Sequence, residues 1–355
     1  MINLIFIISM FIVSLNTNAT TIVDVYGLDN EKAKIFSEKY FGEVAEVETL
    51  ISKEFAKSNL SGDFETKELN LLVKRKHALI DKIKKENGFL FVEFDTLFYG
   101  QDKDLFTTVE IIDKNQPNRL RFVDLDIKEE FKKKDLKPKP DLIDEMIAYN
   151  LIVNDLFMNH KISPAPPSCP VYHCILGFEH PKFKPYLSIF NNGVKEQKAF
   201  IIDSLKNEKD PNRKAAAVFL VGHFKDPNEI VNLLTPLIND KVMNVRNNAM
   251  RVIAQTIAKG KLLYINLLPF IDALDSPYDV DRNKALAVID ITMGVPSQRQ
   301  VVIDNAKDKL LPLLRLSQPN NGDIAYDILK RISGKNFGRR DYLAWQNWIE
   351  NSSKS

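Results

Sequence analysis

Apolar positions in the first third of the chain change their period several times. TIVDVYGL (Thr21–Leu28) alternates and is rich in β-branched residues, which predicts a strand. Asp29 stands where an N-cap belongs, and Ala33, Phe36, Tyr40, Val44, Val47, Ile51 and Phe55 follow at steps of three or four. That spacing puts them on one face of a long helix, which Gly42 is expected to bend or divide. After the polar break SNLSGDFET, a second helix turns Leu69, Leu72, Val73, Ile80 and Ile83 inward, with His77 beside that face as a structural residue. GFLFVEFDTLFYG places Leu90, Val92 and Phe94 on one side of a strand, and DLFTTVEIID does the same with Leu105, Thr107, Val109 and Ile111. QPN is a turn signal. NRLRFVD then alternates Arg119 and Arg121 with Leu120 and Phe122, which predicts a half-solvated edge strand. The expected order is β-α-α-β-β with one further strand.

The next stretch, Lys128–Asp141, is charged and closes on two prolines, as a linker does. An amphipathic helix through Leu142, Met146, Val153 and Phe157 follows, and then SPAPPSCP, which is not helical. From about residue 194 the chain reads as helix after helix with an internal repeat. NRKAAAVFLVGHF, VRNNAMRVIAQTI and DRNKALAVIDITM each carry R-x-x-A with an aliphatic residue four places on. Arg213, Arg246 and Arg282 recur at steps of about 33 to 36 residues, the range of two-helix repeats. A fourth copy, GDIAYDILKRI, keeps Ala325 and Leu329 without the arginine. EIVNLLTPLIND, LLYINLLPFIDAL and NAKDKLLPLLRL are the expected partner helices, and Asp210-Pro, Asp226-Pro and Ser276-Pro the expected helix starts.

The first segment, and FVEFDTLFYGQDKDLFTTVEIID in particular, resembles the POTRA domain of cell-envelope proteins over about residues 20–125. That resemblance implies a sheet edge or groove lent to a passing or docked chain, and hence a role in envelope assembly. The helix pairs, with a small alanine at the close-packed position and an arginine near the start of the second helix, resemble HEAT repeats. CPVYHCILGFEHPKFKPYL and ISGKNFGRRDYLAWQNWIE are similar to the segments that precede and close the repeats in exported bacterial HEAT-repeat proteins. This second resemblance covers about residues 165–350 and implies binding without naming a chemistry. The expected fold is an α+β N-terminal domain (β-α-α-β-β, POTRA-like) followed by an all-α HEAT-like solenoid. Its parts would be 1–19 signal peptide, 20–127 α/β domain, 128–140 linker, 141–193 helical connector and 194–350 repeats with a tryptophan cap. In that cap Tyr342, Trp345 and Ile349 share a face, with Trp348 nearby.

Charge narrows the partners. Lys+Arg is 49 and Asp+Glu is 47, a net +2, so no strong field draws the chain to nucleic acid or an anionic membrane. Leu4–Val13 is an apolar run of signal-peptide length, followed by small residues at Thr17 and Ala19. Cleavage near Thr20 would leave no stable membrane insertion and a periplasmic or secreted protein. An uncleaved anchor is the other reading.

Residues 168–181, SCPVYHCILGFEHP, hold both cysteines and two of the five histidines. Cys169, His173, Cys174 and His180 could ligate zinc, but C-x3-H-C-x5-H matches no common finger, redox or haem spacing. Export favours a Cys169–Cys174 disulfide, with a metal site or free thiols as alternatives. No nucleophile elbow, metalloprotease motif, phosphate loop or EF-hand occurs. HEAT-like repeats also occur in enzymes that attach bilins, and nothing in this sequence beyond the repeat points to that activity. The expectation is a non-enzymatic protein without cofactor or metal that binds a protein or peptide. An enzyme centred on the Cys/His cluster is the main alternative. The repeat arginines pair with acidic neighbours along the stack or, with Asn247, Asn248 and Asn283, meet the partner. Arg246, Asn247, Asn248, Arg282 and Asn283 are thus the candidate binding residues.

Overall fold

The computed structural model describes residues 20–61, 66–98, 104–124, 141–158, 161–162 and 168–352. The apolar leader and the charged linker lie outside these residues. The chain is mostly helical, with one small sheet near its N-terminus. It forms two compact units. The sheet unit joins residues up to 121 with 275–279 and 307 onward, and the helical unit holds 122–274 and 280–306.

In the sheet unit, β1 (Thr21–Tyr26), α1 (Asn30–Ser61), α2 (Lys67–Asn87), β2 (Phe91–Phe98) and β3 (Leu105–Ile112) appear in the expected order. The strand order is β1-β3-β2, with β1 parallel and β2 antiparallel to β3. Parallel pairing of β1 with β3 needs a crossover, and the α1–α2 pair supplies it. Phe36, Tyr40, Val44 and Val47 of α1 pack with Leu79, Ile80 and Ile83 of α2 onto Val92, Phe94, Val109 and Ile111. The three-or-four-residue spacing of α1 forms the buried face, and the helix runs through Gly42, where a bend or break was expected, unbroken. Thr66 caps α2 by accepting from the Leu69 amide at 3.1 Å, and Gly88 ends it at φ 65°. His77 is exposed, so its expected structural place is corrected.

The expected last strand is absent among the described residues. Pro117–Phe122 is a 3-10 turn. Pro117 has no amide to give a ladder, and Arg119 folds back beneath the sheet end. Its Nη1 donates to the Ile111 carbonyl at 3.1 Å and its Nε to the Asp275 carbonyl at 2.8 Å. Gly27 makes this approach feasible: at φ 100° a Cβ there would sit 1.9 Å from the Ile111 oxygen.

The sheet's second face is used within the same unit. Ser317 donates its amide (2.6 Å) and hydroxyl (3.1 Å) to Asp24, and Phe91 meets Tyr278 edge-on. On the outer edge of β2, the Phe94 carbonyl accepts from Lys76 Nζ at 2.8 Å and its amide donates to Glu93 at 3.1 Å. Side chains thus occupy edge groups that a docking strand would need. The unit is completed by α12 (Lys307–Leu314), α13 (Pro319–Ser333) and α14 (Tyr342–Ser352).

The helical unit contains α3 (Leu142–Met158), α4 (Lys184–Glu196), α5 (Lys198–Asn207), α6 (Pro211–Val221), α7 (Pro227–Leu234), α8 (Met243–Gly260), α9 (Leu268–Ala273), most of α10 (Asp279–Thr292) and α11 (Pro296–Asn305). Asp210 and Asp226 cap α6 and α7 as their Asp-Pro pairs suggest. The partner helix expected from LLYIN onward is shorter than its pattern: 262–267 is irregular and α9 begins at Leu268. Lys261 ends α8 at φ 51°, and Pro269 favours a fresh start.

Candidate functional site

The segment from Ser168 to α4 is irregular and is held in place from three directions. Tyr149 of α3 donates its hydroxyl to the Gly177 carbonyl at 3.0 Å. Phe178, Phe183 and Phe190 surround its ring at 5.4–5.7 Å. This burial raises the Tyr149 hydroxyl to about 12, so it stays a donor. Cys169 and Cys174 are at disulfide-bonding distance and close the loop between them. Gly222, at the end of α6, lets the loop approach: the Tyr172 amide donates to the Gly222 carbonyl at 3.0 Å, and a Cβ on Gly222 would lie 2.8 Å from His173 Cβ.

His173 is the peg of this clasp. Its ring stacks on Phe219 of α6 at 5.0 Å, and Nδ1 lies 2.8 Å from Gln255 Oε1 of α8. Burial, with Arg251 a lesser cause, pushes the imidazole down to about 3, so it is neutral. His223 is held likewise, Nδ1 2.9 Å from Asn191 Oδ1 and the ring between Phe178 and Phe190. Burial lowers it to about 4. His180 accepts from the Lys182 amide at 3.2 Å and lies against Phe183. The structure therefore does not gather Cys169, His173, Cys174 and His180 around a common point. Among the described residues, no group of three or more His, Cys, Asp or Glu side chains is placed to hold a metal.

Beside the clasp the helical unit forms a cleft of about 660 Å3. Val171, Tyr172, Val194 and Phe224 give it apolar walls, and His223 lies at its side. Four lysines line it, Lys195, Lys198, Lys225 and Lys259, against two acids, Asp226 and Glu229. Lys198 pairs with Glu229 at 2.7 Å. Asp226 is occupied as the α7 cap. Lys259 donates to the carbonyls of Cys169 (2.8 Å) and Val171, which ties α8 to the clasp, and burial lowers its ammonium. Among the described residues, Lys195 and Lys225 are in no ion pair.

The repeat residues sit deeper than a binding surface requires. Arg246 and Arg282 have no exposed surface, so the expectation that they meet a partner is corrected. Arg246 donates to Asp281 at 2.8 Å, the Asp240 carbonyl at 2.7 Å and the Phe122 carbonyl at 2.8 Å. Arg213 pairs with Asp141, Asp144 and Glu208. Asn247 donates to the Val280 carbonyl at 3.3 Å and Asn248 to the Ala215 carbonyl at 3.1 Å. Asn283, half-buried, accepts from Lys284 at 2.6 Å. Trp345 is buried and donates to the Gly338 carbonyl at 3.0 Å between Tyr326 and Phe337, whereas Trp348 is half-buried. Both belong to α14 and take part in packing within the sheet unit.

The cleft residues escaped sequence reasoning because four separate stretches of chain supply them. The only local signal was the cysteine pair. No helix among the described residues is long and apolar enough to cross a membrane. Comparison with family models, curated proteins and solved structures finds no match to this chain.

Proposed function

We propose that the chain is an exported, non-enzymatic interaction protein, in which a helical array resembling HEAT repeats, preceded by a POTRA-like domain, binds a protein or peptide partner. One observation carries this reading. Three side-chain ties between the arginine-bearing helices, Asn248 to Ala215, Asn247 to Val280 and Arg246 to Asp281, each span 33 to 35 residues. That is the repeat period of the sequence, and nearest-neighbour ties at the repeat period are what a stacked array needs. Stacked helical repeats present extended surfaces suited to polypeptides. The buried ionisable groups are engaged in packing: Arg213 and Arg246 hold neighbouring helices, and His173 and His223 are neutral pegs. Export is supported by the apolar leader at Leu4–Val13 and by the cysteines at bonding distance.

The test is affinity capture from envelope extract with the immobilised intact chain, read by mass spectrometry with excess free chain as competitor. A small set of proteins retained and then displaced is the expected result. Failure of the intact chain to retain any displaceable protein or peptide would sink the proposal.

A further inference from the structure

We infer that the cleft beside the Cys169–Cys174 clasp is a binding site for an extended peptide segment in which acidic residues alternate with apolar ones. This rests on the interaction reading above and adds where the partner binds and what chemistry it carries. The walls set the first requirement. Val171, Tyr172, Val194 and Phe224 offer apolar surface, and an occupant must bring apolar side chains to displace water from them. The lysines set the second. Glu229 neutralises Lys198, and Lys259 is tied to backbone carbonyls, which leaves Lys195 and Lys225 as the cations an occupant can meet. Both are exposed at the rim, where complementary charge steers association and fixes register. Glu229 is offset by Lys198; Asp226 keeps its charge as the α7 cap, but four lysines against two acids leave the lining net positive.

Size sets the third requirement. A cleft of about 660 Å3 is far larger than a single inorganic anion needs and lies in the range for ligands of several residues' bulk. His223 in the wall is neutral and adds no charge, so the site's sign comes from the lysines alone. The helices and loop that form the walls are cross-fixed by His173, Lys259 and the cysteine pair, so the site is preformed. Preformed sites lose less freedom on binding.

The experiment is fluorescence-anisotropy titration of the intact chain with a labelled octapeptide alternating glutamate and leucine. Controls are the same peptide with lysine for glutamate, and citrate and inorganic phosphate as competitors. The test variant is Lys195→Glu with Lys225→Glu. It alters two exposed side chains without ion pairs, and circular dichroism checks its fold. The acidic peptide should bind at micromolar concentrations, and the charge reversal should weaken it about tenfold or more. Raising salt from about 0.05 M to about 0.5 M should weaken it as well, and the lysine peptide should not bind. No binding of the acidic peptide, equal binding by the folded variant, or complete displacement by equimolar citrate would each overturn the inference. The two readings fail separately. If the intact chain captures an envelope protein and the variant captures it equally well, the interaction function stands and this cleft is not its site.

Discussion

Acid should loosen the helical unit through two histidines. His173 and His223 are held at about 3 and about 4 by burial, whereas an imidazole in the unfolded chain titrates near 6.5. Folded values below the unfolded one mean that, as pH falls, the unfolded chain takes up a proton first. The stability these rings contribute is thus complete above about pH 7 and is lost progressively from about 6.5 toward their folded values. At pH 5 the unfolded chain is about 1.5 pH units below its histidine value, while both folded rings are still neutral. At 1.36 kcal/mol per unit, each histidine removes about 2 kcal/mol between pH 7.5 and pH 5. Carboxylates also titrate in this range, so the difference between wild type and variant isolates the histidines. Urea unfolding followed by far-UV circular dichroism at both pH values should show a drop in stability for wild type. That drop should be about 2 kcal/mol smaller in His173→Gln and in His223→Gln, and about 4 kcal/mol smaller in the double variant. An equal drop in wild type and double variant would refute the assignment of both rings as buried and neutral.

Further outcomes follow from the packing. Reducing Cys169–Cys174 removes a short loop closure, so about 2 kcal/mol of stability should be lost on adding a dithiol; an unchanged urea midpoint would contradict the clasp. Arg246→Met leaves Asp281 buried without its guanidinium, and should cost about 3–5 kcal/mol in equilibrium unfolding; a loss below about 1 kcal/mol would show that the ion pair does not hold α8 to α10. Trp345→Ala should cost about 3–5 kcal/mol, and Trp348→Ala, half-buried, much less, by the same assay; equal costs would contradict the burial assigned to them. Gly222→Ala forces a methyl group against His173, so limited proteolysis should cut the 168–183 segment faster than in wild type, and an unchanged rate would oppose that close approach.

Local features of the fold were legible where local physics decides them. The alternation in TIVDVY, the α1 face from Phe36 to Val47 and the Asp-Pro caps each depend on neighbours in sequence. The structure reproduces them. The apolar leader, which implies an oxidising compartment, likewise foreshadowed Cys169 and Cys174 at bonding distance. Where the pattern misled, a distant contact had prevailed. NRLRFVD alternates like a strand, yet Arg119 turns under the sheet to reach Ile111 and Asp275, the latter 156 residues away. The repeat arginines could be read as pairing with acidic neighbours along the stack or as meeting a partner, and their register alone did not decide between the two. Arg246 meets Asp281, 35 residues on, and so follows the first reading. The sheet unit recruits α12–α14 through contacts such as Ser317 with Asp24, 293 residues apart. No periodicity encodes such an association. The cleft was invisible for the same reason, since residues near 170, 195, 224 and 259 meet only in the folded chain.

A helical unit that binds a polypeptide partner at the clasp cleft would hold that partner within reach of the cleft rim. Photo-crosslinking of the intact chain in the cell envelope tests it most directly, with the crosslinking residue placed at Lys225 on the cleft rim or, as control, at exposed Leu71 on α2. A defined adduct from position 225, absent from position 71 and lost when Lys195→Glu is added, is the predicted result. Absence of any adduct at 225, or the same adduct from both positions, would contradict the account.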